Sequence, residues 1–151
     1  LVLAASEAEI DAGLGGRDVS ATTRQALIEA RIGQGAYRAD LLALWEGRCA
    51  VTGCRLAKAL IASHAVPWRE NKNPETCLDK YNGLLLTASI DRLFDQGLIS
   101  FDQTGRLLRK PNLGASDLLA LGIGADAKLR MIDPRHQPYL ARHRATHGFQ
   151  G

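Results

Sequence analysis

The sequence predicts an α+β fold, and three observations carry that prediction. The 151 residues are 46% hydrophobic but only 5% aromatic, so Leu, Ile, Val and Ala must fill the core, which suits small helices packed on a short sheet. The apolar pattern has a helical period in the first third of the chain, turns strand-like at residues 62–68 and 81–87, and is helical again from residue 89. Glycine, proline and an Asn-Gly pair separate these segments.

Residues 1–46 read as a helical lead-in. Helices are expected over 2–12 and 20–32, parted by Gly13, Gly15 and Gly16, with Asp18 or Ser20 as N-cap. Gly33 and Gly35 predict an end to the second helix. A third is expected from Ala36 to Glu46, with Leu41, Leu42, Leu44 and Trp45 on its apolar face.

The texture changes at Gly47. "RCAVTGC" predicts a short strand and turn, "RLAKALI" a short helix, and "ASHAVPW" an extended segment, because Pro67 disfavours helix in the residue before it. "RENKNPETCLDK", residues 69–80, is an aperiodic polar loop, and "YNGLLLT" opens on a turn signal and runs into a buried strand. "SIDRLFDQG" predicts a helix with Ser89 as N-cap and Gly97 as its stop. Ile90, Leu93 and Phe94 face its core side, and Asp91 and Asp95 lie one turn apart on the shoulder.

"LISF", "DQTG" and "RLLR" then predict a hairpin. A short helix at Ser116–Leu121 and a last helix after Pro138 complete the chain. The expected organisation is 1–46 lead-in, 47–110 strand-loop-strand-helix core and 111–151 helical extension.

Residues 1–46 hold four arginines against seven acids, whereas 47–151 hold fifteen Lys and Arg against nine, so the basic character belongs to the later part. Arginine outnumbers lysine fourteen to five, and its planar fork suits phosphate oxygens, although a GC-rich genome would produce the same bias. No apolar run is long enough to span a bilayer, and "LVLAAS" lacks the basic flank of a secretory signal, so a cytoplasmic protein is expected. The chain begins at Leu1, so a piece of a longer polypeptide, with a recognition domain elsewhere in it, is expected. Cys49, Cys54 and Cys77 form an odd set without two tight pairs, which argues against structural zinc.

His64 in an apolar run reads two ways: as a structural imidazole bonded to a loop carbonyl, or as a base. His64 followed by "YNGLLL" and "DRLFDQGLISF" resembles the HNH nucleases of the ββα-metal group. The branch found in bacterial restriction endonucleases reads roughly "CxxTGC", "AHxxPW", "NGLLL" and "LFDxGLISF". The likeness covers about residues 33–109, and "YLARHR" near the end is similar too.

The resemblance implies a ββα-metal core and a metal-dependent DNA endonuclease that leaves 5′-phosphate and 3′-hydroxyl ends. It gives His64 the role of general base, Asn82 that of a brace for the loop around it, and Asp91 that of metal ligand. The residue types suit that chemistry independently. Phosphodiester hydrolysis needs a base near neutrality and a cation to neutralise the leaving oxygen; imidazole supplies the first, and Mg²⁺ (or Mn²⁺) supplies the second with few carboxylates.

Two positions depart from the family pattern. Asp91 stands where many members have His, which favours hard ions over softer metals. Ser63 stands where many have Asp or His, which leaves the ligand set thin; Asp95 can complete it directly or through water, or can equally cap or brace the helix.

Arg69, Lys72 and Arg92 are the phosphate-binding candidates, and the partner is double-stranded DNA. Since one active site nicks one strand, a homodimer is one route to double-strand cuts. His143 and His147 have a metal spacing but lack a third ligand nearby, so a surface helix is expected there, with Arg135, Arg142 and Arg144 available to the DNA backbone. Three rivals stay open: a DNA-binding module that does not cut, an RNase or toxin nuclease, and a small zinc-stabilised interaction domain.

Overall fold

The computed structural model describes residues 20–67 and 73–150. The expected helix over 2–12 and residues Trp68, Arg69 and Lys72 lie outside them. Helix α1 spans Ala21–Leu44 and is capped by Ser20, whose side chain accepts from the Thr23 amide. Strand β1, Leu60–His64, follows a single 3-10 turn at Ala57–Ala59, and a one-turn helix α2, Pro74–Cys77, precedes β2, Gly83–Thr87. Helix α3 is Ala88–Asp95, the β3–β4 hairpin pairs Ile99–Phe101 with Leu107–Arg109, and α4, Ala115–Ala120, and α5, Gln137–Thr146, complete the order.

The predicted break at Gly33 and Gly35 does not occur: α1 is continuous, and the expected 20–32 and 36–46 helices are one. A glycine inside a helix costs about 1 kcal/mol relative to Ala, which does not end a helix whose later turns are anchored. Tyr37, Leu41 and Trp45 supply the anchor, as all three are buried in the core. Gly33 also serves packing, since a Cβ there would press on a Leu78 methyl at 3.3 Å.

Helix α1 ends in a Schellman arrangement, with Gly47 N–H bonding Leu42 O at 2.8 Å and Glu46 N–H bonding Ala43 O at 3.3 Å. The left-handed residue is Glu46, at φ 56°, where glycine is the usual occupant. Glu46→Gly is therefore expected to stabilise the protein by about 0.5–1 kcal/mol, checked by urea denaturation; an unchanged or lowered midpoint contradicts this. Arg130 fastens the same corner, donating from Nε to Cys49 O at 2.8 Å and from Nη2 to Trp45 O at 3.2 Å.

β1 and β2 pair antiparallel with His64 opposite Gly83 and Leu60 opposite Thr87. β2 is buried along Gly83–Leu86 because α3 covers the ββ ribbon on one side while the Cys49–Cys54 turn bonds β2's second edge, Ala50 N–H to Leu85 O at 2.7 Å. The backbone passes from β2 into α3 without a loop, so Thr87, and not Ser89, occupies the N-cap position. Gly97 stops α3 as expected, at φ 71°. "RCAVTGC" is a turn rather than a strand, and "RLAKALI" contributes only the 3-10 turn before entering β1. One apolar core draws on α1, the ββα unit, the hairpin and α5, from Tyr37 to Leu140.

The tail differs from the expected surface helix. Its arginines and histidines divide between core and solvent: His143 and Arg144 are 2% and 4% exposed, while Arg142 lies outside. Arg144 Nη1 donates to Phe101 O at 2.7 Å, and Arg135 pairs with Asp133 and covers the Tyr81 ring. The sequence conceals this because polar residues fill the buried face of α5, where Arg144 satisfies the β3 carbonyl of Phe101 and His143 the α3 carbonyl of Phe94.

Candidate active site

His64 closes β1 at the point where the chain leaves the ribbon. Its Nε2 lies 2.7 Å from the carbonyl oxygen of Cys77, the last residue of α2. A carbonyl accepts and never donates, so Nε2 carries the proton and the Nδ1 lone pair is left for other work. The ring is half-buried, and burial pushes its proton affinity below the ordinary imidazole range, with the Cys77 bond acting in the opposite direction. Burial thus favours the neutral imidazole, whose Nδ1 lone pair is not used by the Cys77 bond.

Asn82 is 1% exposed and its side chain is spent on backbone. Oδ1 accepts from Val66 N–H at 2.8 Å, and Nδ2 donates to Val66 O at 3.0 Å and Thr76 O at 3.1 Å. These bonds join the segment just after His64 to α2, which holds the Cys77 carbonyl. Both Nδ2 hydrogens and one of the two Oδ1 lone pairs are thus engaged by backbone groups of the loop.

Asp91 sits half-buried in the first turn of α3, and Arg92 beside it is exposed. His64 thus stands at the end of β1, Asn82 at the entry to β2 and Asp91 in α3, on three elements that pack together as a ββα unit. Asp95 lies one turn further along and within electrostatic reach of His143, which turns its influence towards α5. Among the described residues no three His, Cys, Asp or Glu side chains gather as a metal cluster. Ser63 is 3% exposed and, by strand alternation, points away from the face that carries His64.

One side chain escapes the sequence reading, and which loop carbonyl meets His64 is decided only by the fold. Tyr37 of α1, fully buried, stacks its ring on His64 at a centroid distance of 4.2 Å and an interplanar angle of 9°. Its hydroxyl donates to Asn82 O at 2.6 Å. The Cys77 carbonyl, which sets the tautomer, is backbone and leaves no mark in the side-chain pattern. The only local signal is Gly83, where a Cβ would overlap the Tyr37 hydroxyl and come within 2.7 Å of Ser63 O. Gly83→Ala is expected to cost about 1–3 kcal/mol by overpacking and to displace Tyr37, measurable by denaturation; an unperturbed midpoint contradicts that fit.

The cysteines are free thiols. Cys49 Sγ accepts from the Val51 and Thr52 amides at 3.5 and 3.4 Å, which gives it a local role in the turn. Among the described residues no helix is long and apolar enough to cross a membrane.

Residues 49–102 match the family model described as HNH endonuclease. Among solved structures the chain is similar to a modification dependent TagI restriction endonuclease, at 17% identity and a TM-score of 0.48. That likeness covers 71% of this chain and 35% of that one, so the chain spans about a third of that enzyme's length. No curated protein matches the chain by sequence.

Proposed function

Because residues 49–102 match the HNH endonuclease family model, we propose that the chain is a metal-dependent nuclease that hydrolyses double-stranded DNA, acting in bacterial restriction in the cytoplasm. The observation that carries this reading is the HNH family match over residues 49–102, which spans His64, Asn82 and Asp91; the His64 bond to Cys77 O, the contact expected of a structural imidazole, is compatible with a base because it engages Nε2 and not Nδ1. In the proposed mechanism Nδ1 takes a proton from water as that water attacks the phosphorus in line. Asn82 keeps the loop, and so the imidazole, in register. Arg92 is exposed beside the site and supports phosphate binding; Arg69 and Lys72, outside the described residues, are assigned the same role from their place in the loop.

The donor chemistry fits a hard divalent ion. One half-buried carboxylate at Asp91 suits Mg²⁺ or Mn²⁺, which keep several waters and need few protein ligands, and Asp95 is the second carboxylate on the same helix. When bound, the ion supplies charge neutralisation at the departing 3′ oxygen. Asp91→Asn is expected to lower nicking by roughly 100-fold or more, the scale of several kcal/mol of lost charge stabilisation, without unfolding the chain.

Supercoiled plasmid incubated with the chain and Mg²⁺, Mn²⁺ or EDTA tests the reading, with single-stranded RNA in parallel. The expected result is metal-dependent nicking that ligase reseals. Intact plasmid under every metal, with the DNA still shifted on a gel, replaces the reading by a binding module; faster loss of RNA replaces it by an RNase.

A further inference from the structure

The matched HNH segment begins at residue 49, yet the ring lying against His64 comes from residue 37. We propose that Tyr37 is a positioning residue for His64, so that helix α1 is part of the catalytic unit and not a lead-in to it. The inference rests on the nuclease reading above.

Three contacts hold the side chain in one place. Its ring covers one face of the imidazole nearly parallel to it, at 4.2 Å and 9°. Its hydroxyl donates 2.6 Å to the carbonyl of Asn82, the residue whose amide braces Val66 and Thr76. It also fills the space that a side chain at position 83 would take, directly across the strand pair from His64.

The imidazole is therefore held at its edge by the Cys77 carbonyl and on its face by Tyr37. An edge bond alone leaves rotation about that bond free, which would swing Nδ1 out of line. A flat ring against the imidazole removes this freedom. The tyrosine is itself held from behind, since Leu41 and Trp45 of the same helix are buried and α1 packs on both β1 and β2. Reach of about 1 Å matters here, because a misplacement of that size commonly costs on the order of 100-fold in rate.

Tyr37→Phe and Tyr37→Leu in the full chain separate positioning from mere packing. Phe keeps the flat ring and loses the Asn82 bond; Leu keeps apolar bulk and loses the ring. At saturating DNA, Tyr37→Leu is expected to slow single-turnover nicking by roughly 10- to 100-fold with DNA affinity unchanged within about twofold, while Tyr37→Phe stays within about fivefold of the parent. The His64 ring protons, assigned by NMR through their loss in His64→Ala, should show an upfield ring-current shift in the parent and in Tyr37→Phe that disappears in Tyr37→Leu.

A folded Tyr37→Leu that nicks at the parental rate overturns the proposal, as does equal loss in both variants. The NMR signature does not depend on cleavage. A parent that never nicks under any metal sinks the nuclease reading, and with it the catalytic meaning of the contact, even where the shift is present. A parent that nicks but shows no such shift sinks the positioning role alone.

Discussion

Replacing His64 with alanine should abolish most nicking, by roughly 10²- to 10⁴-fold, while the chain still folds and still binds DNA. The geometry explains both halves of this expectation. The imidazole Nε2–H is engaged by Cys77 O, so the ring offers one free function, the Nδ1 lone pair, and alanine removes it. The fold depends on the ring far less, because it is half-buried and because Asn82, not His64, ties the flanking segments together. Circular dichroism and a gel shift check the controls; a nicking rate that survives the substitution makes His64 a structural histidine.

The same ring predicts the acid side of the pH profile. Burial favours the neutral imidazole, so the base form persists to lower pH than in a free histidine with its ordinary value of 6.5. The rate should hold through pH 6.5 and fall below it. A rate that is already half lost above pH 6.5 contradicts the assignment of the base to this environment.

The second large effect is acid destabilisation through His143. This residue is 2% exposed between α5, α3 and the hairpin, stacked on Phe94 at 3.9 Å. Its Nε2 lies 2.8 Å from Phe94 O and Nδ1 lies 2.8 Å from Ser100 Oγ. The carbonyl fixes the proton on Nε2, so the Ser100 hydroxyl donates to Nδ1. Protonation would put a donor where that hydroxyl already donates, in a buried site. Burial holds the group down to about 4, reinforced by His147, with the Phe94 bond and Asp95 acting the other way.

The folded form thus takes up the proton later than the unfolded chain does. Its stabilising contribution is complete above the ordinary 6.5, declines as the pH falls, and is lost near 4. The loss across that window amounts to about 3 kcal/mol, at 1.36 kcal/mol per unit. His64 and His136, both lowered chiefly by burial, act in the same direction. Asp102, lowered by its Thr104 and Arg106 bonds against the opposing effect of desolvation, matters only once the pH passes 3.8. The interval between 6.5 and 4 therefore belongs to the imidazoles. Urea midpoints at pH 7.5, 5.5 and 4.5 should fall steadily in the parent and more shallowly in His143→Gln; midpoints flat across that range would show that His143 protonates without cost.

Helix α3 and strand β2 were legible along the chain because their signals are local. "GLLL" is an apolar run bounded by Asn-Gly, and Ile90, Leu93 and Phe94 repeat at helical spacing up to a glycine stop. His64, Asn82 and Asp91 were named as a set only through the resemblance to HNH nucleases, whose motifs are short enough to be matched along the chain. The N-cap of α3 moved from Ser89 to Thr87 because the helix starts where the strand register ends, and Thr87 pairs with Leu60. The continuity of α1 was hidden, since glycine propensity is weighed locally while Tyr37, Leu41 and Trp45 are anchored by elements far along the chain.

Periodicity and turn chemistry were thus enough to specify the α+β class and the strand-strand-helix order, while the candidate base, brace and carboxylate came from the family resemblance of the motifs. All of these signals act over a few residues, and so survive without knowledge of what packs on them. The protonation state of His64, the burial of His143 and Arg144, and the part played by Tyr37 arise from groups distant in sequence: a carbonyl at residue 77, a hydroxyl at residue 100, a ring at residue 37. A side chain's proton affinity and orientation are set by desolvation and by the partners brought against it, and those exist only once the chain has closed on itself.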